Sequence, residues 1–383
     1  MRDRLNLAIV TETFPPEVNG VAMTFGVIAR ELGLRGHRVK VYRPDRVGAE
    51  GGDEPAYEVT TLPGFPIPGY PAIRMGYPAR NRLAKAWKRA RPDLVHVVTE
   101  GPLGASAISA ARALGVPVTS SFHTNFHSYA SHYGLPPLRH LALAWLRRVH
   151  NRTRRTFAPT RELCDELALL GFRDLALLSR GVDLRRFSPD RRSAELRTSW
   201  GAGPDDLVVL HVGRMAPEKN YPLLFRIYDA MRAANPRLRF VLAGEGPLQE
   251  TLRKTHPECI FAGFFSREEI GRYYASSDLY VHASTTETFG NVLTEAMASG
   301  LAVCGYNYAA AKQFVRHGEN GLVAPLGDEA ALTHEAVRLV SDTALRDRLR
   351  SAAPESLRGQ SWERVIERFE NDLVNIARQG GSS

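Results

Sequence analysis

The sequence predicts an α/β protein built of two doubly wound, Rossmann-like domains that face each other across a cleft. Three observations carry this expectation. A chain of 383 residues is longer than one ordinary hydrophobic core organises and divides into two domains of roughly 180 residues. Each half alternates short apolar runs with amphipathic stretches of helical spacing, the pattern of an open parallel sheet. Every glycine-bearing or cationic motif follows an apolar run, at the carboxyl end of a strand, where ligands bind in such sheets.

Residues 5–10 read as the first strand, 21–34 as its helix and 38–42 as the second strand, with Gly33 and Gly36 punctuating the turn between. Glycine and proline are dense over 47–78, so mostly irregular chain is expected there, and no central strand. Residues 93–98 and 116–121 are buried strands around an alanine-rich helix over 103–114, and a long helix spans 137–152. The join falls between Val182 and Ser199, a polar stretch holding Pro189 with Arg185, Arg186, Arg191 and Arg192. In the second half, strands are predicted at 207–212, 238–243, 259–262, 279–282 and 302–305, with helices between them. Residues 361–378 have helical spacing of Trp362, Val365, Ile366, Phe369, Leu373 and Ile376, and only the last five residues read as disordered.

Composition narrows the function classes. Apolar residues make up 44% of the chain, but no run approaches the ~18 needed for a membrane span, and the first residues lack a signal-peptide apolar segment. A cytoplasmic protein is expected, at most peripheral on the inner face of the plasma membrane. Cys164, Cys259 and Cys304 are widely spaced, without metal-site patterning, and read as reduced thiols. The net charge of +9 belongs to the first half, where residues 1–184 carry 25 Lys and Arg against 16 Asp and Glu. It concentrates in two basic helices, one holding Arg80, Lys85, Lys88 and Arg89, the other Arg139, Arg147 and Arg148 among Leu, Trp145 and Val149. Basic helices with an apolar face can lie on an anionic membrane surface. No nucleic-acid recognition motif accompanies them. The loop after the first strand lacks GxGxxG, which argues against a dinucleotide-dependent oxidoreductase.

The most informative motif runs from Glu287 to Gly300. It sets Glu287 in a loop after a strand, Gly290 at a turn where backbone can approach a ligand, and Asn291, Val292 and Leu293 at a helix start. Amides there favour a bound anion without a metal. Glu295, eight positions after Glu287, can accept hydrogen bonds from vicinal ribose hydroxyls. Three further motifs are Arg214 to Lys219 after the strand at 207–212, the loop from Thr11 to Gly20, and the loop beginning Ser121, Phe122, His123.

Together these resemble the retaining glycosyltransferases of the GT-B fold and E-x7-E (family 4) type, and most resemble the branch holding bacterial lipid mannosyltransferases and sulfoquinovosyltransferases. The resemblance spans nearly the whole chain. It implies an acceptor-binding domain at 1–184, to which helix 361–378 returns, and a nucleotide-sugar-binding domain at 185–360. It implies donor contacts from Gly20, Arg214, Lys219, Phe264, Glu287, Phe289, Gly290, Asn291, Val292, Leu293 and Glu295. Catalytic roles fall to His123, Glu287, Arg214 and Lys219, with Phe264 near the base and His123 near the hexose O6, its ring charge adjustable. The basic residues named above would meet the acceptor or membrane.

The implied reaction is retaining transfer of a hexose, mannose from GDP-mannose first, to a glycolipid or lipid-linked acceptor. A UDP-sugar donor (glucosyl, N-acetylglucosaminyl or sulfoquinovosyl) or a small soluble acceptor is the alternative. No Asp-x-Asp pair occurs in the sequence, and GT-B enzymes use cationic side chains and helix dipoles instead. No metal and no cofactor beyond the sugar-nucleotide cosubstrate is therefore expected.

Overall fold

The computed structural model describes residues 4–17, 19–45, 56–67, 70–123, 136–263, 265, 267–287 and 289–380. Phe264, the stretch 124–135 and the Arg139 side chain lie outside this description. The chain forms two compact units, Met1–Arg180 with Glu363–Ser383, and Gly181–Trp362.

Unit 1 is built on a seven-stranded sheet of order β3-β2-β1-β6-β7-β8-β9, parallel throughout. Its strands are β1 (Asn6–Val10), β2 (Arg38–Pro44), β3 (Glu58–Leu62), β6 (Leu94–Val97), β7 (Val118–Ser121), β8 (Arg155–Ala158) and β9 (Leu175–Leu177), and β4 (Gly64–Ile67) with β5 (Tyr70–Gly76) forms a separate antiparallel ribbon. The helices are α1 (Gly20–Leu34), α2 (Arg80–Arg89), α3 (Pro102–Ala113), α4 (Pro136–His150), α5 (Arg161–Leu169) and, from Glu363 onward, the last helix α14 (Trp362–Gly380). Strands β1, β6 and β7 read as near-continuous apolar or small residues because helices cover both faces of a parallel sheet. Helix α14 packs Phe369 against His96 and Phe157, at centroid distances of 5.2 and 5.0 Å. Its Glu370 is clasped by Arg35 at 2.7 Å and His37 at 3.0 Å.

The expectation of mostly irregular chain over 47–78 is corrected here. Residues 58–62 add a strand at the sheet edge, and 64–67 with 70–76 form the antiparallel ribbon, so none of the three is a central strand.

Unit 2 is a six-stranded parallel sheet of order β12-β11-β10-β13-β14-β15. The strands are β10 (Val208–Val212), β11 (Arg239–Ala243), β12 (Ile260–Gly263), β13 (Leu279–His282), β14 (Ala302–Tyr306) and β15 (Leu322–Ala324). Eight helices accompany them among the described residues: α6 (Ala194–Ser199), α7 (Tyr221–Ala234), α8 (Gln249–Thr255), α9 (Arg267–Ser276), α10 (Asn291–Ala298), α11 (Ala309–Phe314), α12 (Glu329–Ser341) and α13 (Thr343–Ser356). One apolar cluster, around Leu224, Ile227, Phe240 and Leu339, fills one face of the sheet, and another, around Val208, Tyr280, Phe289 and Met297, fills the other. The N-terminal edge of β13 is braced by Asp278, whose carboxylate meets Arg192 at 2.8 Å, Arg197 at 2.9 Å and Arg350 at 3.2 Å and accepts the Val208 N–H at 2.9 Å. Burial pushes its pKa up, yet the three guanidiniums outweigh burial and hold it below the usual carboxylate range.

Candidate functional site

Topology places the unit 2 motifs together. Strands β10 and β13 are neighbours, so the loops leaving their carboxyl ends meet above the sheet. The β10 loop turns through a 3-10 turn, Pro217–Lys219, and Asn220 at φ 54° carries the chain into α7. That brings Lys219 Nζ to 2.5 Å from Glu287 Oε1, both side chains being less than one-fifth exposed. The Glu287 loop is pinned from β14's side. Its backbone N–H donates to Tyr308 Oη at 2.9 Å, and that hydroxyl donates to the Ser284 carbonyl at 2.9 Å.

Burial raises the Glu287 pKa, but Lys219, His282 and the hydrogen bonds from Lys219 and Ser284 bring it below the ordinary carboxylate value, so it is ionised. His282 Nε2 lies 3.7 Å from the same Oε1.

Gly290 caps α10 at φ 92°, in the left-handed region where a side chain would be strained. No side chain caps the helix, so its first turn presents amides and a positive dipole end. Glu295 accepts a hydrogen bond from the fully buried Tyr274 hydroxyl at 3.1 Å, which orients its carboxylate. Phe289 and Leu293 are core residues, with the Phe289 ring packed against Phe314. Their offer to a ligand is therefore backbone, and at Leu293 the N–H already donates to the Gly290 carbonyl at 3.1 Å. Arg214 stands apart, 64% exposed and 3.9 Å from Glu218.

In unit 1, the β1 loop leads into α1, and the His123 ring lies 5.6 Å from that of Phe25 on this helix. The side chain of Asn19 accepts from Val21 N and Ala22 N, taking two of that helix's orphan amides. A Cβ at Gly20 would lie 2.7 Å from Arg180 Nη1, so a larger residue there would have to displace that guanidinium. Neither ring nitrogen of His123 has a hydrogen-bond partner among the described residues, and both are screened from solvent. Burial, then Arg180, His96 and His150, push its pKa well below that of free imidazole. His123 is thus held neutral at physiological pH, where an adjustable charge was expected.

Glu12, a neighbour of these residues in sequence, serves the fold. Its carboxyl accepts the Gly76 and Leu103 amides at 2.5 and 3.0 Å, and burial pushes its pKa up to about 7 against those bonds.

Sequence reasoning missed His282, Tyr308, Tyr274 and Glu12. Only the run of polar residues ending β13 and its loop gives a sequence signal for His282. The basic residues of α2 are exposed while its Leu83 and Trp87 are buried. In α4, by contrast, Leu141 and Trp145 are 68% and 44% exposed beside exposed Arg147 and Arg148. Among the described residues no helix is long and apolar enough to cross a membrane, and no cluster of metal-ligating side chains occurs.

Comparison with known proteins agrees with this layout. Residues 18–186 match the model of Glycosyltransferase Family 4 and residues 193–356 that of Glycosyl transferases group 1. A GDP-mannose-dependent alpha-mannosyltransferase of Mycobacterium tuberculosis (strain CDC 1551) is 33% identical over 368 residues, covering 95% of this chain and 94% of that protein. A GDP-mannose-dependent alpha-(1-6)-phosphatidylinositol monomannoside mannosyltransferase of the same strain is 27% identical, covering 96% of each. Among solved structures, Anabaena HepE in complex with UDP superposes with a TM-score of 0.77 at 19% identity, over 97% of this chain and all of that one. The fold is GT-B, and the chain belongs to the glycosyltransferases that join a Family 4 domain to a group 1 domain.

Proposed function

We propose that this glycosyltransferase moves mannose from GDP-mannose, with retention of configuration and without a metal, onto a glycolipid or lipid-linked acceptor. The observation that carries the reading is the half-buried Lys219–Glu287 pair beside the start of α10, which no side chain caps, in a chain whose relatives include GDP-mannose-dependent enzymes. Unit 2 then takes the sugar nucleotide and unit 1 the acceptor. The amides of Asn291, Val292 and Leu293 receive the diphosphate, Lys219 supplies a mobile cation, and Arg214 swings from the rim to fork onto phosphate oxygens. Glu295 takes the ribose hydroxyls and Phe264 the base. Glu287 orients the hexose, and neutral His123 bonds its O6.

As the C1–phosphate bond lengthens, negative charge grows on the leaving phosphate, where fixed cations and amides stabilise it most. The acceptor oxygen forms its bond to C1 on the same face, its proton passing to the departing phosphate oxygen. No enzyme carboxylate acts as nucleophile on this scheme. The test is incubation with GDP-mannose and extracted polar lipids, with the product's anomeric configuration read by NMR. An α-mannolipid supports the reading, and transfer only from UDP-sugars overturns the donor assignment.

The exposed Leu141 and Trp145 of α4, four residues apart and flanked by Arg147 and Arg148, support a membrane-bound acceptor. The protein is expected to float with anionic vesicles at low salt, and Leu141→Glu with Trp145→Glu to lower that binding about tenfold. Absence of binding at low salt contradicts the lipid-acceptor surface.

A further inference from the structure

Beneath the Lys219–Glu287 pair lies a polar group with no assigned role. His282 ends β13, 4% exposed, with Nε2 3.7 Å from Glu287 Oε1 and Nδ1 3.3 Å from Tyr280 Oη. Tyr280 is two residues earlier on the same face of the strand and is fully buried. Its phenol is held protonated, since burial and then Glu287 and Glu295 push its pKa up. The phenol and Nδ1 share a hydrogen bond whose direction the tautomer sets, and with the phenol donating, the imidazole proton sits on Nε2, toward Glu287.

Lys219 and His282 therefore address one and the same carboxylate oxygen, from different elements. Lys219 is close and on a loop turn, whereas His282 is farther and fixed in the sheet. A largely buried carboxylate that loses its charged donor and keeps only a neutral one, here the Ser284 hydroxyl, is left under-satisfied and freer to rotate. That is the situation of Glu287 once a diphosphate draws the Lys219 ammonium away.

We propose that His282 is a positioning residue for glycosyl transfer, its Nε2–H holding the Glu287 carboxylate in its sugar-facing orientation when Lys219 turns to the donor diphosphate. The inference rests on the reading of Lys219 and Glu287 as donor ligands. Burial lowers the imidazole's own affinity for a proton, Glu287 opposes this and Lys219 reinforces it. His211, on the neighbouring strand β10, is the other ionisable group coupled to it and is itself neutral through burial. With Lys219 in place the ring is a neutral donor, and its departure makes the bond to Glu287 more charge-assisted.

The test compares His282→Gln, whose amide can reach Glu287, with His282→Asn, which keeps the bond to Tyr280 but falls short of Glu287. With GDP-mannose and acceptor, His282→Asn is expected to lose roughly 10- to 100-fold in kcat, with the donor KM within about twofold, and His282→Gln to recover most of the loss. Tyr280→Phe, which keeps the packing and releases Nδ1, loses several-fold in kcat. Equal losses in the Gln and Asn variants, or full activity in Tyr280→Phe, overturn the proposal. Lys219→Ala is measured alongside. If it abolishes transfer while the His282 and Tyr280 variants are silent, the positioning role fails alone. If Lys219→Ala is silent too, the donor-site reading has failed with it.

Discussion

Glu287→Gln is expected to lower kcat/KM for transfer by roughly 10²- to 10³-fold, the cost of removing one preorganised electrostatic partner from an enclosed site. The substitution keeps size and hydrogen-bonding capacity but removes the charge that pairs with Lys219 at 2.5 Å. It also leaves the Tyr308 hydrogen bond to the Glu287 backbone N–H untouched, so the loop keeps its path. GDP binding should survive, because Glu287 is assigned to the hexose. Sugar-nucleotide binding and turnover should both fall. Initial rates at varied GDP-mannose, with GDP affinity by calorimetry, check the pattern. Unchanged turnover would remove Glu287 from the chemistry. Lys219→Ala should instead weaken GDP and GDP-mannose alike, since the ammonium is assigned to the diphosphate.

Asp278→Asn is expected to have the largest effect on stability, about 3–5 kcal/mol. Asparagine can still accept the Val208 N–H, yet Arg197, only 6% exposed, is left as an uncompensated buried cation. Arg192 and Arg350 are about one-third exposed and can turn to water, so the burden falls on Arg197. Urea unfolding followed by fluorescence should show an earlier transition in the variant, with the gap closing as pH falls through the depressed Asp278 pKa, where the wild-type aspartate also loses its charge. A shift of under about 1 kcal/mol would mean that the guanidiniums find other acceptors.

The main strands and helices were legible because a parallel sheet covered on both faces writes long apolar runs. Residues 238–243 and 302–305, for instance, match β11 (Arg239–Ala243) and β14 (Ala302–Tyr306) to within a residue. The strands at 175–177 and 322–324 were not, since three residues carry no readable period. The ribbon at 64–76 was hidden by its own prolines, which an antiparallel pair outside the main sheet tolerates.

At the site, Lys219 and Glu287 were each legible from their motifs, but 68 residues separate them. Their pairing follows from the adjacency of β10 and β13, which sequence alone does not order. Tyr308 and His282 were invisible for the same reason, because their partners come from other turns of the chain. Arg214 shows the converse, a motif position whose side chain is exposed and meets only Glu218 among the ion pairs of the described residues.

The most direct test of the central claim is a thermal-shift comparison in EDTA of GDP, GDP-mannose, UDP, ADP and their common sugar conjugates. Raised melting temperature with GDP and GDP-mannose in the wild type, and a much smaller rise in Lys219→Ala, is the predicted result. A shift with UDP compounds alone would contradict the donor assignment, and no shift with any nucleotide would contradict the sugar-nucleotide site itself.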